Sequence, residues 1–238
     1  MRDDDNELAE DESPQHGFQG DRAPAPPGSG VPAALTVALS REAGARGSTI
    51  ARRAGRKLGW QVYDQELLEY MAQDPTVIQG MMAALKPAAL AWVEGNLERL
   101  LRAENVSQHP PVINLARVIL TLGVQGGVVL IGRGAGCILP RESTLHVRII
   151  AALEDRIAYM AQWLRLTAEE AAERVRLRDE RRAEFVETHF GRQPGDVYQY
   201  DLLLNSGVLG EEVCADLIAR ATLARNEASC ARSGEEDR

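Results

Sequence analysis

The chain has 238 residues, 45% of them hydrophobic and 26% charged, with a formal net charge of −8. That is enough apolar matter for one sizeable core, and no uncharged run is long enough to span a bilayer. The charge is uneven. Residues 1–32 hold eight acids against Arg2 and Arg22, residues 226–238 hold four against Arg232 and Arg238, and the body is neutral by count, 23 against 23. The acidity belongs to the ends, so it says little about what the body binds.

Residues 1–32 lack an apolar period and carry five prolines, which predicts a disordered tail. They have neither the basic start nor the apolar core of a secretion signal. Cys137, Cys214 and Cys230 lack metal-binding spacing and read as reduced thiols, which fits a cytoplasmic protein. The ordered body is expected over 33–225, with a second disordered tail at 226–238.

The body opens on a strand at 35–39. A turn containing Gly44 and Gly47 follows, then a helix over 48–58 with Ile50, Ala51, Ala54 and Leu58 on one face. Gly59 stops that helix, and a short strand at 60–64 ends in Asp64. Residues 65–122 read as four helices, 66–73, 77–85, 87–102 and 111–122, divided at prolines. The continuous apolar run Val128–Ile131 has the character of a central parallel strand, and 144–151 is another. Glu154 and Asp155 suit the first turn of the next helix. Thr167-Ala168-Glu169-Glu170 has the form of a capping box, opening a charged helix to about Thr188. A last strand at 201–206 and a helix over 211–223 complete the body. Apolar strands alternating with helices predict a parallel α/β sheet covered on both faces.

Two of these strands end in glycine-rich turns. The second, Gly132-Arg133-Gly134-Ala135-Gly136, superficially suggests a dinucleotide fingerprint. It meets Pro140 almost at once, and no acid ends the next strand to meet a ribose, so that reading is set aside. The first is followed by a real helix. There Gly44 and Gly47 let the backbone approach a ligand, and the helix's first N–H groups point where an anion would sit. Ser48 and Thr49 either cap that helix or offer a hydroxyl to a magnesium-bound phosphate. Arg133, ending an apolar strand, calls for a ligand or a fixed carboxylate. Asp64 is either a helix cap or a group facing a phosphate or a metal's water shell.

Taken in order, "LSREAGARGSTIARRAGRKLG", "VYDQELLEYMA", "VLIGRGAGCILP", "LHVRIIAALEDRI", "RLRDERR" and "YDLLLNSGVLGEEVCADLI" resemble the cytidylate kinase-like family of the P-loop kinases, over about 35–221. The resemblance implies a P-loop kinase-like parallel sheet with helices on both faces. It also implies a phosphate loop at 40–49, a helical monophosphate-binding insertion at about 65–122 and an arginine-bearing lid at about 167–190. This chain departs from the pattern. Arg46 and Gly47 stand where glycine and lysine belong, Arg41 replaces the first loop glycine, Gly134 replaces an aspartate after Arg133, and Arg182 replaces an acid in the lid.

The function so implied is ATP-dependent phosphoryl transfer to a nucleoside monophosphate, cytidylate by resemblance, with Mg2+ as cofactor. Arg41, Gly44, Gly47, Ser48 and Thr49 would hold the donor, with Ser48 nearest the metal. Asp64 and Arg133 would meet the acceptor. Arg46, Arg133, Arg178 and Arg181 would steady the migrating charge, because phosphoryl transfer asks mainly for position and positive charge. The missing lysine keeps a second function open, a non-catalytic nucleotide-binding or interaction module, and a third is a kinase for another small acceptor. The basic residues are not interleaved with aromatics, so nucleic acid is not expected as a partner. Nor is a membrane. The apolar residues of 65–122 are expected to pack on the body; the alternative is a homodimer face.

Overall fold

The computed structural model describes residues 31–236 apart from Ala33 and Glu104, with only backbone for 228–236. The sequence-expected acidic tail therefore lies, up to residue 30, outside the described residues. In chain order the elements are β1 (Thr36–Arg41), α1 (Gly47–Leu58), β2 (Gln61–Tyr63), α2 (Gln65–Gln73), α3 (Pro75–Ala83), α4 (Pro87–Leu101) and α5 (Pro110–Gln125). They continue with β3 (Val128–Ile131), α6 (Ala135–Ile138), β4 (Thr144–Ile150), α7 (Leu153–Leu164), α8 (Ala168–Phe190), β5 (Leu202–Asn205) and α9 (Ser206–Glu236).

The five strands form one all-parallel sheet in the order β2-β3-β1-β4-β5. Both faces are covered, which is why the central strands read as unbroken apolar runs. On one face Val37, Leu39, Val129, Val147 and Ile149 pack with α1 and α9. On the other, Ala38 and Leu130 join a cluster drawn from α2–α6, including Val93, Ile119 and Leu120. The apolar residues of the helical region thus pack on the body. A third cluster, Ala43, Met160, Ala171 and Val175, ties α7 and α8 to the turn after β1.

Three local expectations are corrected. The helical region divides at its prolines as expected, but α3 starts at Pro75, two residues earlier than 77, since the first turn has no use for the missing N–H. The four-residue α6 was not foreseen. The C-terminal helix runs from Ser206 to Glu236 with a break at Gly210 (φ 74), longer at both ends than the expected 211–223. Asn226 is tied to the body: its side-chain oxygen accepts from the Leu35 N–H at 3.1 Å.

Candidate active site

The turn after β1 is held from several sides. The Glu42 N–H donates to the Ile149 carbonyl at 3.0 Å, and the Glu42 carboxylate accepts from the Ala151 N–H at 3.2 Å. That carboxylate also faces Arg156 at 3.4 Å and Arg148 at 3.8 Å. The Ala43 N–H donates to Asp179 Oδ1 at 2.7 Å, and Arg156 grips Asp179 Oδ2 at 2.5 Å and the Ala43 carbonyl at 3.2 Å. A carboxylate from α8 therefore meets one loop amide where an anion would be bound. A side chain at Gly44 would stand 2.5 Å from the Arg156 carbonyl, so α7 packs directly on the loop.

Arg46 precedes α1 in left-handed backbone, φ 58, a conformation that costs a non-glycine residue roughly 1 kcal/mol or more. Its side chain lies over the Tyr159 ring, 4.9 Å from the centroid, and 4.0 Å from the Glu211 carboxylate. The Gly47, Ser48 and Thr49 N–H groups have no partner within the helix, and no side chain caps them. Gly47 permits a close approach, since a side chain there would stand 2.5 Å from Arg41 Cβ.

A cleft of about 300 Å³ opens beside this turn, along the carboxyl ends of β1, β3 and β4 and under α8. Arg41, Arg133, Arg148 and Arg182 line it, as do Glu42 and Asp179. The Arg41 guanidinium lies over Gly132. Arg133 is also left-handed (φ 47); it pairs with Glu69 of α2 and sits over the Phe185 ring at 5.0 Å. Arg148 donates to Ser40 Oγ at 2.9 Å and lies 5.6 Å over the Tyr200 ring. Arg182 stands 3.9 Å from Asp179. On the far side of Arg133 and Phe185 a second cavity of about 240 Å³ lies among α2, α5 and α8, against Glu69, Val112, Leu115, His109 and His189.

Of the residues singled out in the sequence, Arg41 and Arg133 line the cleft. Gly44, Gly47, Ser48 and Thr49 form the turn and the open end of α1. Arg46 faces α7 and α9. Arg178 turns toward Met160, 3.9 Å from its sulfur, and Arg181 is exposed on α8. Asp64 caps α2, accepting from the Leu67 N–H at 3.0 Å, and lies 3.9 Å from Arg52. Sequence reasoning missed Glu42, Arg148, Arg156 and Asp179. They lie within the segments that carry the family resemblance, but they meet only because β4, α7 and α8 converge on the loop, and that pairing leaves no local signal. Among the described residues no cluster of His, Cys, Asp and Glu could hold a metal ion, and no helix is long and apolar enough to cross a membrane.

Comparison with known proteins gives this geometry a lineage. A solved structure of an uncharacterized protein from Eubacterium ventriosum superposes with a TM-score of 0.63 at 16% identity, covering 80% of this chain and 98% of that one. Shikimate kinase from Acinetobacter baumannii matches with a TM-score of 0.44 at 14% identity, over 81% of this chain and 94% of that one. Uronate isomerase of Corynebacterium glutamicum is 35% identical over 102 residues, which are 43% of this chain and a fifth of that relative's length. The model of the cytidylate kinase-like family matches residues 36–208, most of the chain. With its five-stranded parallel sheet and the loop between β1 and α1, the protein belongs to the cytidylate kinase-like family.

Proposed function

We propose that the protein transfers a phosphoryl group from ATP, with Mg2+, to a nucleoside monophosphate, cytidylate being the acceptor its family name suggests. The observation that carries this is the open amino end of α1 beside an arginine-lined cleft. The residues present fit a polyphosphate. The Gly47, Ser48 and Thr49 amides lack helical partners, and Gly44 and Gly47 leave the backbone bare. Ser48 is nearly buried at that end and would offer its hydroxyl to the metal. When bound, Mg2+ would neutralise charge on the phosphate oxygens. Arg41 and Arg182 would face the migrating group and Arg133 the acceptor phosphate, with Arg46, Arg178 and Arg181 on the rim. Asp64 would act through its cap on α2.

A second reading is a non-catalytic nucleotide-binding module. It is favoured by Gly47 at the lysine position and by the Asp179 carboxylate on the Ala43 amide. The test is a panel of monophosphates with ATP and Mg2+, read by diphosphate formation. Turnover of cytidylate supports the first reading, and nucleotide binding without turnover selects the module. Because one relative bears the name uronate isomerase, the panel includes a uronate. Turnover of that acceptor alone selects a kinase for another small molecule.

A further inference from the structure

The inner end of the cleft is chemically unlike its mouth. It lies on the sheet face under the segment 191–200, where Ala38, Gly136, Cys137 and His146 close it. His146 is 3% exposed, and among the described residues neither ring nitrogen has a hydrogen-bond partner. Its backbone is fully used: its N–H donates to Asp201 Oδ2 at 2.8 Å, and its carbonyl accepts from the Asp201 N–H at 2.8 Å. The ring alone is left over. Buried polar side chains are nearly always paired, so an imidazole left without a partner beside a cavity points to a ligand. Gly136 makes the space. A side chain there would stand 3.2 Å from His146 Nδ1.

The charges agree with the shape. The mouth carries the Arg41, Arg133 and Arg182 guanidiniums, and Arg148, two residues beyond His146 on β4, stands between them and the inner end, held by Ser40 and Tyr200. At the inner end the His146 ring and the Cys137 thiol are uncharged near neutrality, because burial pushes His146 down to about 4 and Cys137 up to about 11, although Arg192 stands near both and Asp201, Arg141 and Arg225 near His146. Ala38 pairs with His146 in register and lies three residues back along β1 from Arg41, a separation of roughly 10 Å. A bare phosphate at the mouth cannot reach that far. The second cavity also has a ring nitrogen unpartnered among the described residues, His189 Nδ1, but that ring is half-buried and packs edge-on against Phe185 at 4.8 Å, and the cavity otherwise ends on Ala72, Val112 and Leu115.

We infer that the chamber floored by Ala38 and Gly136 receives the uncharged hydrogen-bonding ring of the acceptor, and that His146 selects it. The inference rests on the phosphotransfer reading and places the acceptor's head group on the β4 side of Arg133, away from the helical insertion. A base and a sugar share this chemistry, and the probes separate them.

The test is calorimetric titration of the full chain with inorganic phosphate, ribose 5-phosphate, cytidylate and ATP. The variants are His146→Phe, which fills the chamber, and His146→Gln, which keeps a hydrogen-bonding group. The expected result is that His146→Phe weakens a ring-bearing monophosphate about tenfold or more, leaves inorganic phosphate and ATP unchanged, and is partly rescued by Gln. Loss for cytidylate alone assigns the chamber to the base; loss for both monophosphates assigns it to the sugar. Gly136→Ala, which narrows the chamber by one methyl group, serves where His146→Phe melts early, and the same loss is expected. Equal binding of both monophosphates by parent and variants overturns the inference. So does a parent that binds ATP but neither monophosphate, although phosphotransfer to some other acceptor then stands. A parent that binds no nucleotide removes the phosphotransfer reading and the inference with it.

Discussion

The turns after β1 and β3 have similar compositions and opposite constructions. Each follows a central strand, each is rich in glycine, and each holds one arginine in left-handed backbone, Arg46 and Arg133. The first leads into the twelve-residue α1, whose amino end is open, and the second into the four-residue α6. Around the first turn the charges are locked to one another, Glu42 and Asp179 against Arg148 and Arg156. Around the second, Arg133 projects between two cavities. The first turn thus leaves the amino end of a long helix open beside an acidic latch, and the second is a mount for one guanidinium. Glycine content alone does not tell the two apart; the length of the helix that follows does.

That contrast can be broken most forcefully at Arg156, whose side chain is 11% exposed and holds Glu42, Asp179 and two carbonyls. Removing one member of a partly buried ionic cluster leaves the rest without their charged hydrogen bonds, so Arg156→Ala should lower stability by about 3 kcal/mol in denaturant unfolding. A loss below 1 kcal/mol would show that α7 does not hold the first turn.

His146 gives the next effect. Its folded-state value near 4 lies below the ordinary 6.5, so the unfolded chain takes up a proton first as pH falls. Stability is fully present above 6.5 and should decline between 6.5 and 4, by roughly 3 kcal/mol. Asp201 opposes the shift, while Arg141, Arg225 and Arg192 add to it. His146→Phe should flatten the slope across that window, and an unchanged slope in the variant would assign it to other groups.

Asp179→Asn sharpens the latch. It keeps the shape but weakens the bonds to the Ala43 N–H and to Arg156, so unfolding should cost about 1–3 kcal/mol less. If the carboxylate competes with phosphate, ATP should bind tighter in the same variant. Weaker binding would mean that Asp179 organises the loop for nucleotide.

The two loop arginines separate mouth from rim. Arg41 lies over Gly132 in the cleft, whereas Arg46 lies over Tyr159. Arg41→Ala should weaken nucleotide binding about tenfold, and Arg46→Ala by only a few-fold. The reverse order would show that Arg46 leaves Tyr159 to meet the phosphates. The smallest change is a control: nothing stands within 4 Å of a side chain built at Gly95 in α4, so Gly95→Ala should stabilise by about 0.5–1 kcal/mol.

The sequence by itself determined the fold class and most elements. Unbroken apolar runs such as Val128–Ile131, and capping groups such as Thr167 with Glu170, are local signals of a covered sheet and of helix ends. It also placed Gly44, Gly47 and Ser48 at the mouth of a helix, because the order strand, glycine turn, helix is written along the chain. It missed the four-residue α6, too short to leave a period, and placed the start of α3 two residues late. Only the tertiary structure decided which charges face the cleft. Arg46 and Arg41 are neighbours of one turn, yet a left-handed residue sends the first toward α7 while the strand sends the second over Gly132. Glu42, Arg156 and Asp179 lie as much as 137 residues apart and meet because two helices pack on one loop. Long-range electrostatic pairing leaves no period in the sequence, whereas burial of a strand or a helix face does.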